Sequence, residues 1–158
     1  MTIQIVVTNT MVGRARFYEQ PKQRGNYRMV PTYRVDVSVE DVPVFIFSVT
    51  RDVIGQIFEV TDPHQECPPS RPAHPYSAYV RTDNKRGFRL QLYEQGIGNS
   101  IRGQWEDNRS VIQIHRGPGQ SAGCMLIAGG KRGHQRFTSK IKQLMRDTKK
   151  ISVVVHPR

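Results

Sequence analysis

Segments in which apolar and polar residues alternate recur along the chain, and this period of two predicts β-strands. The first contains Ile3, Ile5 and Val7, and the pattern returns at 33–49, where 41–43 interrupts it. Further strands are predicted at 76–81, 88–93, 110–115, 124–128 and 151–155, and the turn residues at 84–87 predict that the first two form a β-hairpin. Residues 51–60 fit either a short helix or a strand. The five prolines of 61–75 and the glycines of 96–108 predict loops.

Only residues 134–148 have a clear helical period. Their apolar side chains recur at i, i+4, i+7 and i+8 and form one stripe, Phe137, Ile141, Leu144 and Met145. The chain contains no internal repeat and no linker. We therefore predict one domain over 1–158, mainly β (mixed α+β), with one clear helix covering a sheet in which the strands of Ile114 and Ile127 are neighbours.

The charge balance limits the partners. The chain has 24 Lys and Arg against 13 Asp and Glu, a net charge of +11, which favours an anionic partner. The basic residues are spread along the chain, and no zinc-finger spacing or RNA-recognition motif occurs, which disfavours nucleic acid. Anionic bacterial wall polymers account for the charge equally well. No apolar run is long enough for a membrane-spanning helix, and two cysteines exclude a disulfide scaffold.

The first ten residues, MTIQIVVTNT, have no basic n-region, no long apolar h-region and no small-residue cleavage site. This predicts that the chain carries no secretory signal peptide. The protein is then either cytosolic or exported by a route that reads no cleavable leader.

One strand–loop–strand segment carries residues suited to catalysis. His115 ends a strand, and Cys124 begins the next after a loop with three glycines. A thiol has an ordinary pKa of about 8.5, so a neighbouring imidazolium is needed to hold it as thiolate at neutral pH. Gly123 permits a turn that aims the amides around Ala122 at an oxyanion. Ser121 is positioned to orient the imidazole. In the alternative interpretation, the cysteine is a small buried apolar residue and the histidine is structural.

The order of these residues resembles the signature of the L,D-transpeptidases, the cysteine enzymes of peptidoglycan cross-linking. In this resemblance His115 matches the base, Ser121 the Ser or Thr, Gly123 the glycine and Cys124 the nucleophile. The chain departs from the signature in its shorter His-to-Cys spacing. It also has Ala122 where a second histidine is usual, and Leu126 where Asn or Arg is common. The similarity covers roughly residues 110–130 and is greatest to a compact branch found in phages and among type VI secretion effectors.

The resemblance implies an L,D-transpeptidase-like β-sandwich or barrel and a cysteine acyltransferase acting on peptidoglycan stem peptides. The reaction would be transpeptidation, exchange or L,D-carboxypeptidation, with no metal and no organic cofactor. It implies an antibacterial secreted effector or toxin, or a phage-associated protein. An effector would be cytoplasmic in its producer and act in the periplasm or cell wall of a target. Its partners would include a cognate immunity protein and a component of the secretion apparatus.

The resemblance implies a donor peptide with a free carboxylate. This chain has Leu126 at the position where Asn or Arg is common, so another residue must bind that carboxylate. Arginine suits carboxylate recognition, and the candidates beside the site are Arg116, Arg102 and Arg109. Trp105 is a candidate for packing against sugar or stem peptide.

We expect both cysteines to be thiols rather than one disulfide. Three alternatives to the acyltransferase remain open. The first is a metal site at His64, Cys67 and His74, although their spacing matches no established zinc pattern. A non-enzymatic cell-wall or phage structural module with the same fold is the second alternative. A basic nucleic-acid-binding domain is the third.

Overall fold

The computed structural model describes residues 1–18, 27–52, 68, 70, 74–82, 87–94, 100–102, 108–110, 112–118 and 124–158. Within these residues the chain forms ten strands and one helix. The strands are β1 (Thr2–Tyr18), β2 (Tyr27–Val39), β3 (Val42–Thr50), β4 (Tyr76–Arg81), β5 (Arg89–Tyr93), β6 (Ser100–Arg102), β7 (Asn108–Ser110), β8 (Gln113–Arg116), β9 (Met125–Ile127) and β10 (Lys150–Val155), and the helix is α1 (Gly130–Leu144). A mainly β fold with one helix is confirmed.

Eight of these strands close into a barrel in the order β1-β10-β4-β5-β8-β9-β3-β2. The pairs β1–β10 and β8–β9 are parallel, and the other neighbours are antiparallel. Strands β6 and β7 form a separate two-stranded sheet. The predicted pairing of the strands of Ile114 and Ile127 is confirmed, since these strands are β8 and β9.

The apolar residues of the alternating segments face the barrel interior. Ile3, Ile5 and Val7 of β1 are fully buried. In the parallel pair β1–β10, Ile3 lies opposite Ile151 and Ile5 opposite Val153, so the apolar residues of both strands enter one core. Burial of each such side chain stabilises the fold by about 1.5–3 kcal/mol.

The helix covers one part of this core with the predicted apolar stripe. Phe137 and Ile141 are fully buried in the core cluster, and Leu144 and Met145 pack partly buried against it. The predicted bounds were wrong, however. The helix spans Gly130–Leu144 rather than 134–148, so it begins and ends four residues earlier.

Three glycines explain the earlier start. Glycine is a poor helix former, so Gly129, Gly130 and Gly133 favour a loop when they are judged by propensity alone. Here Gly129 and Gly130 have φ of 88° and 62°, a left-handed conformation that turns the chain from β9 into the helix. A Cβ on Gly133 would clash with the carbonyl oxygen of Ala128, so only glycine fits there.

The predicted hairpin is confirmed, because β4 and β5 pair antiparallel. The loop prediction for 96–108 was wrong in part, because 100–102 and 108–110 pair as β6 and β7. Such short strands give little pattern in a sequence. Apart from Arg51 and Asp52, the predictions for 51–60 lie outside the described residues. Most of the 61–75 loop lies there too.

The β1–β2 hairpin extends beyond the barrel. Its pairing register shifts between Val7 and Met11 and again before Gly13, and such irregularities bend and twist a strand pair. Beyond the shifts, Phe17 and Val30 are buried against Leu126 in a small second cluster. The hairpin extension therefore covers the outer face of β9, next to the candidate site.

A buried carboxylate ties the C-terminal residues to β2. Asp52 accepts from Arg28 at 3.0 Å and lies 3.6 Å from Arg158, and the Asp52 side chain is 10% exposed. Beside it, Arg51 donates to the carbonyl oxygen of His156 at 2.6 Å. Of the residues that the structure describes, none belongs to a helix long and apolar enough to cross a membrane.

Candidate active site

The parallel pair β8–β9 positions the candidate catalytic residues. Ile114 lies opposite Met125, and both are fully buried in the core. His115 lies opposite Leu126. Side chains alternate along a strand, and opposite residues share a face. The outer face of β8 and β9 therefore carries His115 with Leu126 and Cys124.

On this face His115 and Cys124 are diagonal neighbours. Cys124 is two residues before Leu126, the residue opposite His115. Diagonal neighbours on adjacent strands have Cα atoms about 7–8 Å apart, within reach of long or aromatic side chains. Both residues are half-buried. Neither is enclosed in the apolar core, where a purely structural cysteine would lie.

The imidazole of His115 has a defined hydrogen bond. Its Nδ1 lies 2.9 Å from the carbonyl oxygen of Arg116. A carbonyl oxygen only accepts, so Nδ1 donates and carries the proton in the neutral ring. The lone pair is then on Nε2, which is the arrangement a general base requires. The backbone carbonyl of Arg116 thus orients this ring, and the orienting role of Ser121 stays a prediction, because Ser121 lies outside the described residues.

The thiol of Cys124 also has a backbone partner. The backbone N–H of Gln113 donates to Cys124 Sγ over 3.3 Å. A donor directed at sulfur stabilises negative charge there, and the thiolate is the nucleophilic form. Cys124 is a thiol rather than half of a disulfide, as predicted. Cys67 lies outside the described residues.

Polar side chains anchor the strand that supplies this donor. Gln113 is fully buried, and its Nε2 donates to Gln91 Oε1 at 3.2 Å. The same oxygen accepts from Arg81 at 2.6 Å. This chain across β4, β5 and β8 fixes the position of Gln113 and hence of its N–H. Gln113 and Gln91 were not predicted as site residues, and the available signal was a glutamine between two apolar residues in each predicted strand.

The remaining predicted site residues are only partly described. Arg116 is exposed at the end of β8. Arg102 and Arg109 lie on the paired strands β6 and β7, where the structure describes the backbone. Four predicted residues lie outside the described part of the chain: Ser121, Ala122, Gly123 and Trp105.

A cavity of about 270 Å³ borders the site on the side of Leu126, which lines it. Its walls also include Gly117 and Pro118, which follow β8. Gly117 donates to the carbonyl oxygen of Ile127 at 3.2 Å, so the chain leaving β8 stays close to β9. The cavity therefore lies between the covered outer face of β9 and the start of α1.

Nothing in the described part of the chain groups three or more His, Cys, Asp or Glu side chains as metal ligands. His74 is exposed, and His64 and Cys67 lie outside the described residues.

Comparison with known protein families, with curated proteins and with solved structures gives no match.

Proposed function

We propose that the protein is a cysteine acyltransferase that acts on peptidoglycan stem peptides, as an L,D-transpeptidase, an exchange enzyme or an L,D-carboxypeptidase. The observation that carries the proposal is the placement of His115 and Cys124 on one face of the parallel pair β8–β9. The hydrogen bond that directs His115 Nδ1 to a carbonyl supports the role of this ring as the base.

The proposed reaction has two steps. The thiolate of Cys124 attacks the carbonyl carbon that precedes a terminal D-residue. The C–N bond breaks, a thioester forms, and His115 supplies the proton that the leaving amine takes. In the second step an amine or water attacks the thioester, His115 takes its proton, and the C–S bond breaks. An amine gives cross-linking or exchange, and water gives carboxypeptidase action.

The substrate class rests on two further supports. One is the resemblance of the segment from His115 to Cys124 to the L,D-transpeptidase signature. The other is the net charge of +11, because the wall polymer and its stem peptides are anionic. The proposal extends to an antibacterial effector that is exported and acts in the cell wall of a target, with an immunity protein in the producer.

Turnover of purified muropeptides, followed by mass spectrometry, tests the proposal. The parent protein should shorten stem peptides by a terminal D-residue, exchange that residue or cross-link two peptides. Cys124→Ala should abolish all three products, and Cys67→Ala, the matched control at the other cysteine, should retain them. Parental turnover by Cys124→Ala would show that the thiol is not the nucleophile.

Two rivals give other results. A non-enzymatic wall-binding module with this fold would bind muropeptides without changing them, and alkylation of Cys124 would leave its binding intact. A nucleic-acid-binding protein, which the charge also suits, would bind DNA or RNA with an affinity that falls steeply as salt increases. Either result, without turnover, would replace the proposed activity.

A further inference from the structure

We infer that the cavity beside Leu126 is a binding site for an oxyanion, and that in the proposed reaction it holds the terminal carboxylate of the donor peptide. The second part of this inference rests on the proposed function. The groups that carry it are Arg14 and Arg16 on β1, Thr50 at the end of β3, and Gly129 and Gly130 at the start of α1, all of which line the cavity.

Thr50 provides the most specific observation. The residue is 1% exposed, and its Oγ1 has no hydrogen-bond partner among the residues that the structure describes. Thr50 lies opposite both Leu126 on β9 and Thr32 on β2, so its side chain shares the face of Leu126. Buried hydroxyl groups nearly always have a partner. A ligand oxygen in the cavity would accept from this hydroxyl.

The charge of the cavity wall selects an anion. Arg14 and Arg16 line it, and no Asp or Glu is among its described lining residues. Arginine recognises carboxylate and phosphate oxygens with paired N–H donors.

The start of α1 adds to this positive potential. The first N–H groups of a helix have no partners within the helix and form the positive end of its dipole. Here no side chain of the described residues caps the helix, and no acidic residue lies in its first turn, although acidic residues are favourable there. Lys131 and Arg132 follow instead, so the first turn itself carries no acidic side chain that would compensate the dipole. An anion in the cavity would supply this compensation.

The cavity and Cys124 lie along the same strand edge. Leu126 lines the cavity, and Cys124 lies two residues before it, about 6.6 Å along an extended strand. Arg14 and Arg16 would thus perform the role predicted for Arg116, Arg102 and Arg109.

Calorimetric titration of the Cys124→Ala protein, which cannot turn over substrate, tests the inference. Three probes are used: a synthetic stem peptide ending in D-alanine, the same peptide with a C-terminal amide, and inorganic phosphate. The free acid should bind at least tenfold more tightly than the amide, and phosphate should compete with it. Arg16→Gln should weaken binding of the acid ten- to a hundredfold, and Thr50→Val should weaken it several-fold.

Two control variants remove a hydroxyl and a guanidinium that lie outside the cavity. Thr138→Val removes another buried hydroxyl without a described partner, and Arg136→Gln removes an exposed arginine of α1. Neither residue lines the cavity. Both variants should bind the acid like the parent, and thermal melting verifies that every variant is folded.

The outcomes separate this inference from the proposed activity. Equal binding of acid and amide, no binding of any probe, or parental binding by Thr50→Val and Arg16→Gln overturns the oxyanion site. If the site binds phosphate alone, and both variants lose it, the anion site stands and the donor-carboxylate assignment falls. If acid binding depends on Arg16 but the parent turns over no muropeptide, the binding site stands and the acyltransferase proposal falls.

Discussion

The carbonyl oxygen of Ala128 lies in the space that a Cβ on Gly133 would need. In an exposed helix, Gly→Ala normally stabilises by up to about 1 kcal/mol. Here Gly133→Ala should instead destabilise the protein by about 2–4 kcal/mol, because the helix must move away from the end of β9. Ser139→Ala, at an exposed position of the same helix, is the control and should be neutral or slightly stabilising. Urea unfolding measures both, and a stabilised Gly133→Ala protein would contradict the close packing.

Thr50→Val should stabilise the ligand-free protein by about 1 kcal/mol, since it removes a buried hydroxyl that has no described partner. Thr8→Val is the matched contrast. Thr8 Oγ1 donates to the carbonyl oxygen of Arg34 at 2.7 Å, so its removal should cost about 1 kcal/mol. Denaturant unfolding of the two variants should therefore give changes of opposite sign. Equal losses would show that Thr50 has a satisfied hydroxyl.

Asp52→Asn should destabilise the protein by about 2–4 kcal/mol, because Arg28 and Arg158 would lose the carboxylate between them. The comparison is Asp36→Asn. Asp36 pairs with Arg34 at the same 3.0 Å, but both side chains are more than 40% exposed, so this loss should stay below about 1 kcal/mol. Thermal melting at two salt concentrations measures both losses, and comparable values would contradict the difference in burial.

His115→Gln should slow alkylation of Cys124 by iodoacetamide at pH 7 toward the rate of an unactivated thiol, of which only about 3% is thiolate. The physical reason is the loss of the imidazolium that the proposed mechanism places beside the sulfur. His134→Gln is the control. His134 Nε2 donates to the carbonyl oxygen of Phe88 at 2.8 Å, away from Cys124, and the rate should not change. Should His115→Gln react as fast as the parent, the two residues do not act together.

Local patterns made part of this fold predictable. The stripe from Phe137 to Met145 and the hairpin of β4 and β5 depend on residues close in sequence, and both predictions were confirmed. The start of α1 was missed because Gly129 and Gly130 adopt left-handed conformations, which propensity does not represent. From propensity alone such glycines predict a loop, whereas in the packed structure they form a tight turn that leads into the helix.

The sequence predicted one part of the candidate site and not the other. The pairing of the strands that carry His115 and Cys124 was predicted, because a short glycine-rich loop limits where the chain can go, and the catalytic role of the two residues stays a prediction. The cavity was not predictable, since Arg14 and Arg16 reach it through a hairpin with two register shifts. A shift of one residue reverses which face a side chain occupies. No sequence pattern fixes where such shifts occur.

The parallel pairing of Thr2 with Lys150 has a consequence for folding during synthesis. Strand β10 lies between β1 and β4, so the barrel cannot close until the ribosome has released this late segment. Until then the edges of β1 and β4 have unpaired backbone groups, which is where nascent β-proteins aggregate. A closure of such high contact order is slow. Nascent chains that lack β10 should therefore be the form that chaperones bind most strongly.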